Sequence, residues 1–139
     1  MIHGQCLCGA VRFHLTGAAR DVTVCHCSVC RRLHGGAAAY SASPSEAFHI
    51  DDDADLRWHD VDGAHYGFCS TCGSRMFWKR DGWSHTSFNA ALLVDAPPLM
   101  TTHHIWVGSA GAYEDLSTSL PCHLEGSDSA RREPAPPAS

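Results

Sequence analysis

Three cysteines in the first quarter of the chain have the spacing of a metal-binding cluster. The run Cys25-His26-Cys27-Ser28-Val29-Cys30 brings three thiols together in a short stretch. Three protein ligands on a zinc ion leave one coordination position for water or substrate, which is the arrangement of catalytic zinc sites. We therefore expect Cys25, Cys27 and Cys30 to form an open, catalytic metal site.

A closed version of this site is the alternative. The fourth ligand would be Cys122 or a histidine such as His26, His34 or His104. His26 lies between two of the expected ligands, so its side chain is expected to point away from their metal. With 11 histidines in the chain, chance proximity also competes with any one of them as a ligand.

Two further cysteine pairs have a form in common, in which two thiols are followed by a glycine. They are Cys6-Leu7-Cys8-Gly9 and Cys69-Ser70-Thr71-Cys72-Gly73. A glycine at this position can adopt a positive φ and let backbone N–H groups point at the sulfurs. Together the pairs predict a four-cysteine zinc site, closed and structural, that ties the first strand to the middle of the chain.

Composition narrows the class of protein. The chain of 139 residues predicts a single domain, and eight cysteines without an export signal indicate metal chemistry in a reducing cytoplasm. A redox protein built on the C-x-x-C pairs is the alternative. The net charge of -5 argues against nucleic-acid binding. No apolar run approaches the roughly 20 residues that a membrane-spanning helix needs.

The hydrophobic pattern predicts a mainly β domain. Residues 10–15 alternate with a period of two, and Asp81-Gly82 marks a hairpin turn between two further strands. Ser28 to His34 is compatible with one or two helical turns ending at Gly35. We expect this domain to cover residues 1–125. The polar, Pro/Ala-rich segment at residues 126–139 is expected to be a disordered tail.

Three motifs resemble a known family. They are G-x-C-x-C-G-x-V-x-F at Gly4 to Phe13, C-H-C-x-x-C-R at Cys25 to Arg31, and F-C-x-x-C-G-S at Phe68 to Ser74. A later H-I pair follows at His104-Ile105. In order and spacing they resemble the glutathione-dependent formaldehyde-activating (GFA) family, which is related to the centromere protein V family. The resemblance covers about residues 3 to 122.

The resemblance implies a β-tent fold of small antiparallel sheets around two zinc ions. Motif by motif, it implies a structural zinc on Cys6, Cys8, Cys69 and Cys72, and a catalytic zinc on Cys25, Cys27 and Cys30. The implied activity is that of a carbon–sulfur lyase: condensation of a thiol, glutathione or a similar compound, with formaldehyde or a related small aldehyde. The alternatives are a zinc-binding scaffold without catalysis and a glutathione-binding module.

Two segments depart from the family pattern where substrate walls are expected. Ala91-Leu92-Leu93-Val94-Asp95 stands in place of an L-D-D element, and Ala112-Tyr113 stands in place of a tryptophan. The two carboxylates of glutathione also call for cations near the site. Arg31, Arg32 and Arg75 follow the cysteine motifs and are the candidates, although they could instead balance the thiolate charge.

Overall fold

The computed structural model describes residues 1–132 and is mainly β, as the sequence predicts. Its one α-helix among these residues, α1, spans Ser28–His34. Short 3-10 turns lie at Ser45–Ala47, Ala90–Leu92 and Val107–Ser109. The described strands are, in chain order, β1 (Ile2–Gln5), β2 (Arg12–Leu15), β3 (Val22–Cys25), β4 (Ala38–Pro44), β5 (Phe48–Asp52), β6 (Leu56–Val61), β7 (Ala64–Cys69), β8 (Arg75–Arg80), β9 (His85–Asn89) and β10 (Thr101–Ile105).

The chain divides into two compact units. The first unit comprises Met1–Val22 and Ala39–Met100. It contains an antiparallel sheet in the order β1-β2-β5, and a second run of neighbouring strands in the order β4-β9-β8-β7-β6. The second unit comprises Thr23–Ala38 and the chain from Thr101 onwards. In it, β10 lies next to β3, and α1 follows β3.

Aromatic side chains form the core of the first unit. Phe13 and Leu15 of β2 are buried, which confirms the alternation predicted for residues 10–15. The Phe13 ring meets the Phe77 ring edge to face, with centroids 5.1 Å apart and an interplanar angle of 89°. Cys6 and Cys69 are buried in the same core. Two of the expected metal ligands are therefore fixed by hydrophobic packing.

The predicted helix and hairpin are both present, and one turn was missed. The helix ends at Gly35, which has the left-handed conformation (φ 72°) typical of a C-cap. The hairpin at Asp81-Gly82 joins β8 and β9. The missed turn is Asp62-Gly63, where φ values of 46° and 81° reverse the chain between β6 and β7.

The segment predicted as a disordered tail falls into two parts. Residues 126–132 make backbone hydrogen bonds: the Arg132 N–H donates to the Cys122 carbonyl at 2.7 Å, and the Leu124 N–H donates to the Ala130 carbonyl at 2.9 Å. Residues 133–139 lie outside the described residues. Within residues 1–132, no helix has the length and apolar character needed to cross a membrane.

A histidine on β7 lies between two carboxylates. The Nδ1 atom of His65 is 2.5 Å from an Asp60 oxygen, and its Nε2 atom is 2.8 Å from an Asp81 oxygen. The hydrogen bond to Asp60, followed by that to Asp81, raises the pKa of His65. The folded state therefore favours the protonated imidazole.

This arrangement makes the contribution of His65 to stability dependent on pH. A raised folded-state pKa gives stability that is fully present below the unfolded value of about 6.5 and is lost as pH rises through the folded value. In urea titrations, His65→Gln should therefore cost more free energy of unfolding at pH 6 than at pH 9. His59→Gln, at an exposed position of β6, is the matched control for the loss of one surface histidine. An equal cost of His65→Gln at both would contradict this reading.

Candidate metal centres

Four cysteines of the first unit converge on one point. Cys6 and Cys8 follow β1, Cys69 ends β7, and Cys72 lies in the turn after it. Their sulfur atoms all lie within 4.8 Å of one another. The Cys6 and Cys8 sulfurs are 3.7 Å apart, and those of Cys8 and Cys69 are 3.8 Å apart. Tetrahedral zinc with Zn–S bonds of about 2.3 Å requires sulfur separations of about 3.8 Å, so the donor set fits zinc.

The glycine after each pair shapes the turn as the sequence predicts. Gly9 and Gly73 both have φ 79°. In the first turn, the Val11 N–H donates to the Cys6 sulfur at 3.3 Å. In the second turn, burial opposes ionisation of Cys72, but hydrogen bonds from the Ser74 hydroxyl and backbone outweigh it and lower its pKa to about 5. In these two turns, the cysteine sulfurs therefore have N–H or O–H donors close to them.

Three cysteines of the second unit form a separate group. Cys25 ends β3, Cys27 is the N-cap of α1, and Cys30 lies in its first turn. The three sulfurs lie within 4.8 Å of one another. Among residues 1–132, no histidine, cysteine, aspartate or glutamate joins them as a fourth member of the group. Cys122, one candidate for that role, is buried with its sulfur 3.6 Å from the Leu120 carbonyl oxygen.

Negative charge in this group is concentrated on one sulfur. Hydrogen bonds from the Cys25 and Cys30 thiols, helped by the Val29 and Cys30 backbone N–H groups, lower the pKa of Cys27 to about 2. The hydrogen bond with Cys27 is the main cause that raises the pKa of Cys25, to about 12. The N-terminus of a helix also favours a thiolate, and Cys27 is the N-cap of α1. Such an electron-rich sulfur group suits a soft divalent ion.

Buried polar groups hold the loop that carries these cysteines. The His26 N–H donates to the Ile105 carbonyl at 3.0 Å. The His26 ring is buried, with Nδ1 3.3 Å from a Glu114 oxygen and Nε2 2.8 Å from Nδ1 of His104. The other Glu114 oxygen accepts from the Gly111 N–H at 2.6 Å. Both ring nitrogens of His26 are thus engaged within a network of side chains rather than free to bind a metal.

The sequence analysis did not identify Glu114 as part of this region. Glu114 is 88 positions from His26, and nothing in the local sequence around either residue links the two. Only the positions of the two segments in the fold bring them together. Three histidines were considered as fourth ligands, and two of them, His26 and His104, each give one ring nitrogen to the contact between them. His34, the third, is not part of the three-cysteine group.

The arginines named in the sequence analysis, and the nearby Trp106, have different environments. Arg31 donates to the Ser109 carbonyl at 3.0 Å, and Arg32 is exposed on α1. Arg75 lies over the Phe68 ring, 4.8 Å from its centroid. Trp106 is partly exposed and has a left-handed backbone (φ 58°), which is uncommon for a residue other than glycine.

The two sulfur groups should respond differently to loss of one cysteine. Cys72→Ala removes a ligand next to the core, so we expect loss of one metal ion and unfolding, because metal-binding energy is folding energy at a structural site. Cys30→Ala should lose one metal ion with the fold retained. Cys122→Ala should lose none. The number of metal ions per chain and the thermal unfolding curve of each variant test this prediction. A Cys72→Ala variant that remains folded would contradict it.

Removing the Glu114 carboxylate should destabilise the loop. Glu114→Ala leaves the buried Nδ1 of His26 without its partner, which costs about 1–3 kcal/mol of unfolding free energy. Asp115→Ala, at the adjacent exposed position, should cost much less. Chemical denaturation of both variants measures their free energies of unfolding. An equal loss in the two variants would show that the His26–Glu114 contact contributes nothing to stability.

The chain is similar in sequence and in structure to known proteins. A search of curated proteins found no match. A crystal structure of a Rhodobacter sphaeroides protein, a structural genomics target, is similar: the identity is 29%, the TM-score is 0.56, and the match covers 69% of this chain and 91% of that one. The family described as glutathione-dependent formaldehyde-activating enzyme matches residues 1–109. With that match spanning most of the sequence, and with both cysteine groups assembled, the chain belongs to the GFA family.

Proposed function

We propose that this GFA-family protein is a zinc-dependent carbon–sulfur lyase. It condenses glutathione or a similar thiol with formaldehyde or a related small aldehyde. The observation that supports this proposal is the contrast between the two sulfur groups: one contains four sulfurs and the other three. Four sulfurs saturate a tetrahedral ion, whereas three leave a position for a substrate thiol.

The residue roles follow from this contrast. Cys6, Cys8, Cys69 and Cys72 hold a structural zinc, and Cys25, Cys27 and Cys30 hold a catalytic zinc, which gives two ions per chain. When bound, the catalytic zinc supplies a Lewis acid that promotes deprotonation of an incoming thiol near neutral pH. The chain's own contribution is to fix the three sulfurs through the α1 N-cap, the end of β3 and the His26 hydrogen bonds.

The reaction is an addition with a simple balance. The thiol sulfur of glutathione forms a bond to the aldehyde carbon, the π bond of the carbonyl breaks, and the oxygen takes up the proton that the thiol releases. The product is S-(hydroxymethyl)glutathione when the aldehyde is formaldehyde. No oxidant or reductant is consumed. Placing the two reactants together is the main source of rate gain for such a bimolecular step.

Arg32 is the arginine best suited to bind a carboxylate of glutathione. It lies on α1, two residues after Cys30, and its side chain is exposed. Arg31 is less suitable because its guanidinium donates to the Ser109 carbonyl. An exposed ion pair contributes roughly 0.2–1 kcal/mol, so Arg32 would improve binding by a few-fold at most.

Two measurements on the same proteins test the proposal. Glutathione added to the cobalt-substituted protein should change the thiolate-to-cobalt absorption, since a new sulfur joins the ion. The exchange rate between formaldehyde and glutathione, measured by NMR, should rise at least about tenfold over the uncatalysed reaction at catalytic protein concentrations. Arg32→Ala should raise the glutathione concentration at half-saturation but leave that for 2-mercaptoethanol unchanged.

Cys30→Ala and Cys122→Ala form the matched pair for this experiment. The first should abolish both the spectral change and the rate gain, and the second should retain both. A spectral change without a rate gain would replace the enzyme with a glutathione-binding module. An unchanged spectrum with every thiol would exclude the open site and favour a zinc-binding scaffold.

A further inference from the structure

Three histidines form a row across one face of the sheet β1-β2-β5 in the first unit. His3 of β1 pairs directly with His14 of β2, and His14 pairs directly with His49 of β5. Directly opposed residues of neighbouring antiparallel strands place their side chains on the same face, close enough to interact. The ring centroids of His3 and His14 are 6.2 Å apart, and those of His14 and His49 are 4.9 Å apart.

Carboxylates hold two of these rings in a defined orientation. The Nδ1 atom of His3 is 2.7 Å from an Asp95 oxygen, and the Nδ1 atom of His14 is 2.7 Å from an Asp51 oxygen. The other oxygen of Asp95 also accepts the His3 backbone N–H. Neutral imidazoles that donate from Nδ1 to a carboxylate keep a lone pair on Nε2. This is the tautomer and the partner that metal-binding histidines have in proteins.

The segment that carries Asp95 is fixed along the edge of β1. Leu93 forms a β-bridge with Gly4, and the Val94 N–H donates to the His3 carbonyl at 2.9 Å. The Asp95 carboxylate is consequently brought to His3 by backbone pairing. Asp51 lies within β5, two residues from His49, so it is fixed by the same sheet that carries the histidines.

The His3–His14 pair is better suited to share an ion than the His14–His49 pair. The ring centroids of His3 and His14 are 6.2 Å apart, and the rings are tilted by 41°. A metal ion that binds two imidazoles through bonds of about 2.0–2.1 Å lies roughly 3 Å from each ring centroid, so this separation is compatible with one shared ion. The His14 and His49 rings are stacked, at an interplanar angle of 23°. In the His3–His14 pair, both rings are also oriented by carboxylates, those of Asp95 and Asp51.

We propose that His3 and His14, oriented by Asp95 and Asp51, form a binding site for a divalent transition-metal ion such as Zn²⁺. The site is separate from both cysteine groups and uses imidazole nitrogens, which suit Zn²⁺, Cu²⁺ and Ni²⁺. Water completes the coordination, because the His3 side chain is 50% exposed and that of His14 is 21% exposed. With two protein ligands, the site is weaker than the sulfur groups and fills after them.

The test counts zinc ions on untagged protein whose cysteine groups are already saturated with zinc. Equilibrium dialysis against buffered free Zn²⁺, from micromolar to millimolar, should show one additional ion per chain. His14→Ala and His3→Ala should each lose this ion and retain the others. His59→Ala and His49→Ala, at exposed positions outside the pair, should keep it.

Loss of the orienting carboxylates gives a second measure. Asp51→Asn and Asp95→Asn should each weaken binding of the additional ion about 10–100-fold, the usual effect of removing the partner of a metal-binding histidine. The unfolding temperature of zinc-loaded His14→Ala, compared with wild type, checks that the fold is intact. The proposal is overturned if no additional ion binds, if His14→Ala still binds it, or if His59→Ala loses it as well.

Discussion

The convergence of four sulfurs in the first unit is the constraint on which much of this structure depends. Cys8 and Cys69 are 61 positions apart, yet their sulfurs are 3.8 Å apart. Four thiolates at such distances would repel one another, so a cation bound between them would stabilise the fold. Two of the four cysteines, Cys6 and Cys69, are also buried core residues. Displacement of these two sulfurs would therefore disturb hydrophobic packing as well as the turns.

The second unit brings together three cysteine sulfurs instead of four. Cys25, Cys27 and Cys30 are close in sequence, so a strand end and one helical turn suffice to bring their sulfurs together. The imidazole of His26, which lies between Cys25 and Cys27 in the sequence, is held by Glu114 and His104 through both ring nitrogens. That network satisfies a buried polar side chain, and it also keeps the sulfur group at three members within the described residues.

The sequence predicts the local features of this protein well because their causes are local. Spacing within a turn determines which cysteines pair, period-two alternation places Phe13 and Leu15 in the core, and Gly35 ends the helix. The turn at Asp62-Gly63 also has a local cause, an Asp-Gly pair, but the sequence analysis did not identify it. The contact between His26 and Glu114 could not be predicted, since it depends on how distant segments pack and leaves no periodic signal in the chain.

The segment from Ala91 to Asp95 departs from the family pattern in sequence, and the structure shows what this segment contacts. Its position along the edge of β1 is fixed by backbone hydrogen bonds, which almost any sequence could make. The feature specific to this chain is the Asp95 side chain at the end of the segment. Hydrogen bonds from the His3 backbone, then from its ring, lower the pKa of Asp95 and keep it ionised. The Asp95 carboxylate, hydrogen-bonded to His3 in this way, orients the His3 imidazole. This orientation matters for the proposed metal site because His3 faces His14 across the sheet.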